Sequence, residues 1–201
     1  MSDQINTSDV TALILAGGKA SRFNGKDKGL LLFKQRPMIT HVIDALQPQV
    51  HTIVISANRN IDQYQPFGYP VLQDEQTDMQ QLQGPLAGIL QGLRQCTTPW
   101  LLLSPCDTPF IAPDYCQQMR QAATPDTLVV ASSQGKLQPL FALIPVAFAP
   151  ALASALEQRI YKVGQWLGSM PHHTLDFGTT SMFTNINTPA ELARAEQYFN
   201  C

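Results

Sequence analysis

The chain has 201 residues, of which 44% are hydrophobic and 14% charged, and its formal net charge is −2. That composition suits one large folded domain with a buried core and excludes a disordered chain. The near-neutral balance lacks the clustered cationic field that nucleic acid or an anionic membrane surface would require, so neither is an expected partner.

Residues 1–9 are polar and acidic, without the basic start and apolar run of a secretory signal. They read as a flexible lead into a single domain spanning 10–201. The longest apolar stretches reach about half of the roughly 20 residues that a membrane helix needs, and the expected location is cytoplasmic. Cysteines at 96, 106, 116 and 201 include no C-x-x-C pair. They read as isolated thiols of a reducing compartment, not as a zinc framework.

Val10 to Ala16 is a short apolar run stopped by Gly17-Gly18, the pattern of a buried parallel strand. A loop rich in glycine and charge follows, from Gly17 to Gly29. Apolar residues at helical spacing predict a helix over Met38 to Leu46, with Pro37 at its first position. Thr52 to Ala57 and Pro70 to Leu72 read as strands, the second ending at Asp74. Gly84-Pro85 opens a helix carrying Leu86, Ile89, Leu90 and Leu93. Trp100 to Leu103 is a buried strand running into Ser104-Pro-Cys-Asp107.

Further helices are expected over Ala112–Ala123, Ala147–Glu157, Lys162–Met170 and Pro189–Phe199, and strands over Thr127–Ala131 and Leu137–Ile144. Pro139 cannot donate to a strand ladder, so the last strand should lie at an edge or carry a bulge. Thr188, Pro189 and Glu191 match a capping box at N-cap, N1 and N3. Alternation of strand and helix through the first two-thirds argues for an α/β fold: a mostly parallel central sheet with helices on both faces. Ligands then bind at the carboxyl ends of the strands, which directs attention to the loops after Ala16, Ala57, Leu72 and Leu103.

In the first of these loops, Gly17 and Gly18 allow close approach of backbone N–H groups to phosphate oxygens, and Arg22 and Lys28 add fixed positive charge. The loop matches neither a P-loop nor a dinucleotide fingerprint. A solvated basic turn would have the same composition. Asp107, at the end of a buried strand beside Thr-Pro, suits magnesium, which takes one or two carboxylates together with water and phosphate oxygens. A plain Asx turn before Thr-Pro is the competing reading. Asn58 and Asp74 end their strands where a ribose or base could lie. Gly88 is unfavourable inside a helix by about 1 kcal/mol relative to alanine, which points to a close approach by ligand or by the sheet. The four histidines at 41, 51, 172 and 173 lack the spacing of a zinc pair.

Taken together, Leu15-Ala-Gly-Gly with Arg22 and Lys28, Asn58, Asp74, Gly84-Pro-Leu-Ala-Gly88, Pro105-Cys-Asp-Thr-Pro109 and Asn185-Ile-Asn-Thr-Pro189 resemble the molybdenum cofactor guanylyltransferases, also called molybdopterin-guanine dinucleotide synthases. The resemblance runs from about Val10 to Tyr198. It implies a Rossmann-like nucleotidyltransferase fold and transfer of GMP from GTP to molybdenum-molybdopterin, with release of pyrophosphate and Mg²⁺ as the cofactor. It further implies a nucleotide site of Leu15, Ala16, Gly17, Lys28, Asn58, Asp74 and Asp107, with Asp107 as the magnesium ligand and Arg22 and Lys28 on the triphosphate. Asn185 and Asn187 fall on the molybdopterin side. Transient contacts with proteins that deliver molybdopterin or insert the finished cofactor would follow. The family's usual Arg-Met-Gly is Arg22-Phe23-Asn24 here; asparagine tolerates positive φ and can keep the turn. The alternatives are a cytidylyltransferase, whose relatives read Leu-Ala-Ala-Gly in the first loop, a sugar-phosphate nucleotidyltransferase, and a non-catalytic nucleotide-binding module.

Overall fold

The structure is a computed structural model that describes residues 5–16, 27–74 and 84–198. Its centre is a seven-stranded sheet built from β1 (Val10–Leu15), β4 (Thr52–Ser56), β5 (Val71–Leu72), β6 (Trp100–Pro105), β7 (Leu128–Ser133), β8 (Lys136–Pro145) and β9 (His172–Asp176). The order is β5-β4-β1-β6-β8-β7-β9. The pairs from β5 to β6 and the β7–β9 pair are parallel, and β8 is antiparallel to both its neighbours. The sheet is therefore mostly parallel, as the strand–helix alternation requires.

β1 shows why the sheet is covered twice. Val10, Ala12 and Ile14 point to one face and join Ile39, Val42, Ile43 and Leu46 of α1 (Met38–Leu46) and Tyr115, Cys116 and Met119 of α4 (Tyr115–Gln121). Leu13 points to the other face and meets α3 (Pro85–Gln95), whose Leu86, Ile89, Leu90 and Leu93 are buried with residues of α5 (Ala149–Glu157) and α6 (Val163–Ser169). Burying both faces of a central strand is what makes its sequence read as an unbroken apolar run. The helix α7 (Pro189–Tyr198) packs Leu192 and Ala195 against a smaller cluster containing Phe33, Met38 and Ile186.

Several local features differ from the sequence reading. Pro37 is the residue before α1, not its first, and it belongs to a two-residue hairpin, β2 (Leu32–Phe33) with β3 (Arg36–Pro37). The helix expected from Ala112 begins only at Tyr115. Pro139 lies within an internal strand, and the ladder accommodates it by a register shift: Val130 pairs with Ala142 but Ala131 pairs with Gln138. That is the bulge anticipated for a residue without an N–H. The short helix α2 (Ile61–Tyr64) and the strand β9 carry no apolar signature. β9 sits at the sheet edge with its side chains largely exposed, held by backbone pairing to β7. Among the described residues no helix is long and apolar enough to cross a membrane.

Candidate active site

The carboxyl ends of four adjacent strands are fastened side by side. The Ala16 N–H donates to the Ser56 carbonyl at 2.8 Å, the Cys106 N–H to the Leu15 carbonyl at 3.1 Å, and the Ala57 N–H to the Leu72 carbonyl at 2.9 Å. The loops singled out from sequence therefore open from one edge. Leu15 and Ala16 lie at its centre, with one backbone group of each already used in strand pairing. Gly17, Gly18, Arg22, Asn24 and Gly25 fall outside the described residues.

Lys28, at the start of a 3₁₀ turn over Lys28–Leu30, reaches the end of β6. Its Nζ donates to Asp107 Oδ2 at 3.0 Å and also to Asn187 Oδ1. The two side chains of the ion pair are only 21% and 12% exposed, so water screens this contact poorly. Asp107 also accepts the Ile186 N–H through its main-chain carbonyl at 2.9 Å. One direct bond and the Lys28 bridge thus tie the Asn185–Asn187 segment to the Asp107 loop. Ile186 is buried in the small cluster beneath α7, while Asn185 is exposed. Beside Asn185 lies a cavity of about 460 Å³, walled by Phe110, Ile186 and Ala195, with Thr184, Asn185 and Arg194 among its polar lining. Lys28 thereby joins the predicted nucleotide end to the predicted acceptor end.

Asn58 and Asp74 form a second constellation. The Asn58 amide donates to Asp74 Oδ2 at 2.6 Å, and the Asp74 N–H donates to Asn58 Oδ1 at 2.8 Å. Asp74 Oδ1 is buried and has no hydrogen-bond partner among the described residues. Burial raises the Asp74 carboxyl above its usual range, and the Asn58 amide opposes that shift. Gly88 explains itself here. A Cβ added to it would run into Ser56 Oγ, closer than any real Cβ contact, and would stand 3.6 Å from Asp74 Oδ1. The close approach inferred from a helical glycine is that of α3 onto the end of β4.

The sequence reading missed a polar cluster behind Lys28. Asp27 is 3% exposed, and the Asn60 amide reaches its Oδ2 at 3.3 Å. Asn60 adopts φ 53°, in the left-handed region that asparagine tolerates. Tyr64 also faces the Asp27 carboxyl. Burial pushes that carboxyl up, while Asn60, Tyr64 and the Arg59 charge pull it down. Burial likewise pushes the Cys106 thiol well up, reinforced by the charges of Asp107 and Asp27, which keeps it a neutral packing group. A Cβ on Gly29 would meet Tyr64 Oη at 2.9 Å and Cys106 Sγ at 3.3 Å, so the chain carrying Lys28 lies directly on this cluster. An aspartate between two lysines reads as a solvated turn, and nothing in the composition distinguishes the two cases.

Asp107 follows the carboxyl end of β6, with Lys28 as its ion-pair partner. The described residues hold no cluster of three or more His, Cys, Asp or Glu side chains suited to a metal. One carboxylate, completed by phosphate oxygens and water, is a donor set that suits a hard divalent ion bound jointly with a nucleotide. Nucleotidyltransferases of this type typically use a divalent metal.

Known proteins resemble this chain in sequence and in fold. The molybdenum cofactor guanylyltransferase of Ralstonia nicotianae is 43% identical over 199 residues, covering 94% of this chain and 96% of that one. The enzyme of the same name from Polynucleobacter asymbioticus is 41% identical over 194 residues, with the same coverage. Among solved structures, the molybdopterin-guanine dinucleotide biosynthesis protein A of Archaeoglobus fulgidus superposes with a TM-score of 0.73 at 21% identity, over 94% of this chain and 97% of that one. The 4-diphosphocytidyl-2C-methyl-D-erythritol synthase of Anaerococcus prevotii reaches 0.77 at 11% identity with full coverage of both chains, so the fold by itself does not choose the base. The sequence pattern described as the MobA-like NTP transferase domain matches residues 12–173. With most of its length inside that match, and with full-length relatives above 40% identity, the chain belongs to the MobA-like NTP transferase family.

Proposed function

We propose that this protein is a nucleotidyltransferase that moves GMP from GTP to molybdenum-molybdopterin, giving the guanine dinucleotide cofactor and pyrophosphate. The observation that carries this reading is the Lys28 ammonium, shared between Asp107 at the nucleotide end and Asn187 on the segment beside the cavity. A group transfer between two anions needs a cation at their junction, and a module that only bound a nucleotide would not need that link to a second site. The relatives named for this reaction cover nearly the whole chain, which supports the same choice.

The terminal phosphate of molybdopterin attacks the α-phosphorus of GTP; the P–O bond to the β-phosphate breaks, and pyrophosphate leaves. A phosphate monoester has a second pKa near about 6 and is already largely anionic at neutral pH, so no general base is required. The chain's task is positioning and charge neutralisation. When bound, Mg²⁺ on Asp107 would supply charge to the phosphates. With Asp107 free to hold the ion, the Lys28 ammonium would turn to the triphosphate, where Arg22 and the backbone N–H groups at Gly17 would join it. Leu15, Ala16, Asn58 and Asp74 hold the nucleoside. Asn185 and Asn187 meet the pterin substrate, and the adjoining cavity gives it room. The single domain spanning 10–201, preceded by the short lead of residues 1–9, acts in the cytoplasm, with transient contacts to proteins that deliver molybdopterin and that take up the product.

The test is pyrophosphate release in Mg²⁺ with GTP, with and without molybdenum-molybdopterin. Release that depends on the acceptor supports the transferase. GTP breakdown that ignores the acceptor, or none under either condition, removes it.

A further inference from the structure

We infer that Glu191, in the first turn of α7, is a positioning residue for this transfer: it fixes Asn187 and through it the Lys28 ammonium. The proposal rests on the guanylyltransferase reading above. In an ordinary capping box the N3 carboxylate returns to the N–H of the N-cap residue itself. Here Glu191 N–H donates to Thr188 Oγ1 at 3.2 Å, the usual half of the box, but Glu191 Oε2 accepts from the Asn187 N–H at 2.7 Å, one residue earlier. That displacement makes the start of α7 a clamp on the site. The Asn187 main chain is held by Glu191, its side-chain oxygen receives Lys28 Nζ, and Lys28 in turn pairs with Asp107.

The neighbouring anchor strengthens the case. Ile186 is buried and donates to the Asp107 carbonyl at 2.9 Å, so residue 186 is fixed to the β6 loop while residue 187 is fixed to α7. With its main chain held on both sides, Asn187 presents its carboxamide oxygen to Lys28. A lysine on a four-carbon stem otherwise samples many rotamers, so an acceptor held rigidly beside its ammonium selects the one that lies over Asp107. Glu191 also lines the cavity of about 460 Å³. A substrate entering there touches the side chain that sets Lys28, which couples occupancy of the acceptor end to order at the phosphate end.

The test compares kcat at saturating GTP and acceptor, well below the melting temperature of every variant. Glu191→Ala lowers kcat by roughly ten- to a hundredfold, the scale of a misplaced catalytic group. Glu191→Gln restores most of the rate, because its amide oxygen still accepts the Asn187 N–H. Leu192→Ala, which loosens the packing of α7 without removing either hydrogen bond, lowers the melting temperature and leaves kcat unchanged. In an Asn187→Ala background the further change Glu191→Ala costs nothing more, since the carboxamide it positions is gone. Wild-type kcat in Glu191→Ala would overturn the inference. So would an equal loss in Leu192→Ala, or a full additional loss in the Asn187→Ala background. A wild-type protein that forms no product would instead count against the guanylyltransferase reading.

Discussion

Replacing Lys28 by methionine keeps the length of the side chain and removes its charge. In the free protein the ammonium makes a 3.0 Å ion pair with Asp107 and a hydrogen bond to Asn187, both in a partly buried setting. With the pair 21% and 12% exposed, its loss falls between the exposed and buried limits and should destabilise the fold by about 1–2 kcal/mol. The larger effect belongs to the reaction. In the proposed reaction the ammonium turns from Asp107 to the triphosphate when GTP binds, so the variant lacks at least one charge-assisted contact in the transition state. Such contacts contribute about 1.5–3 kcal/mol, which corresponds to a fall in kcat/KM of roughly 10- to 150-fold. Lys28→Arg recovers only part of this, because a planar fork cannot place a point charge between Asn187 and the triphosphate. The assay is kcat/KM for pyrophosphate release together with the GTP Kd. A Lys28→Met protein that keeps both values would refute the placement of Lys28 at the junction of the two sites.

Asp107→Ala should fold, because its main-chain carbonyl still accepts the Ile186 N–H, but lose at least about a hundredfold in turnover; near wild-type turnover at limiting Mg²⁺ would remove the metal assignment. Asp74 Oδ1 is an acceptor waiting for a donor, so ITP, which lacks only the 2-amino group, should fall below GTP in kcat/KM by roughly tenfold or more; equal efficiency would exclude that contact. Gly88→Ala overpacks the α3–β4 crossing and should destabilise by about 1–3 kcal/mol; adding Ser56→Ala deletes the clashing hydroxyl, leaves a Cβ contact of 3.4 Å and should restore the melting temperature, whereas no restoration would place the strain elsewhere. Asp27→Asn should alter the pH profile of stability. Burial raises the folded carboxyl, so the fold favours its protonated form and wild-type stability declines as pH rises from the unfolded value of 3.8 through the higher folded one. The asparagine variant does not titrate, and its melting temperature relative to wild type should climb through that window and then level off; a constant difference from pH ~4 to ~8 would contradict the assignment.

The parts that were legible in the sequence share one physical property: their signal survives in the order of residues. A strand buried on both faces is mostly apolar, so β1 and β6 could be read directly, and with them the strand ends that carry Leu15 and Asp107. Pro139 announced an edge position or a bulge because it has no N–H to give, and the internal strand carries the bulge. β9 left no trace, since an exposed edge strand of His-His-Thr-Leu-Asp is held by its backbone alone. Asp27 was illegible for a related reason. Its burial depends on Asn60 and Tyr64, about 35 residues further along the chain, and no local pattern records such a meeting. The cap at Thr188 and Glu191 was readable as a pattern, but the return of Glu191 to Asn187 rather than to Thr188 is a matter of one residue in three dimensions. Asn58 and Asp74 were read as separate ligands of the nucleotide; they turn out to hold each other first.

The identity of the transferred group distinguishes this reaction from its relatives, and one competition measures it. The protein is incubated with Mg²⁺, molybdenum-molybdopterin and equal concentrations of GTP, CTP, ATP and UTP, and the mass of the dinucleotide product is determined. A guanine dinucleotide formed in a one-to-one ratio with pyrophosphate is the predicted result. A cytosine dinucleotide, or pyrophosphate without any dinucleotide, would contradict the account.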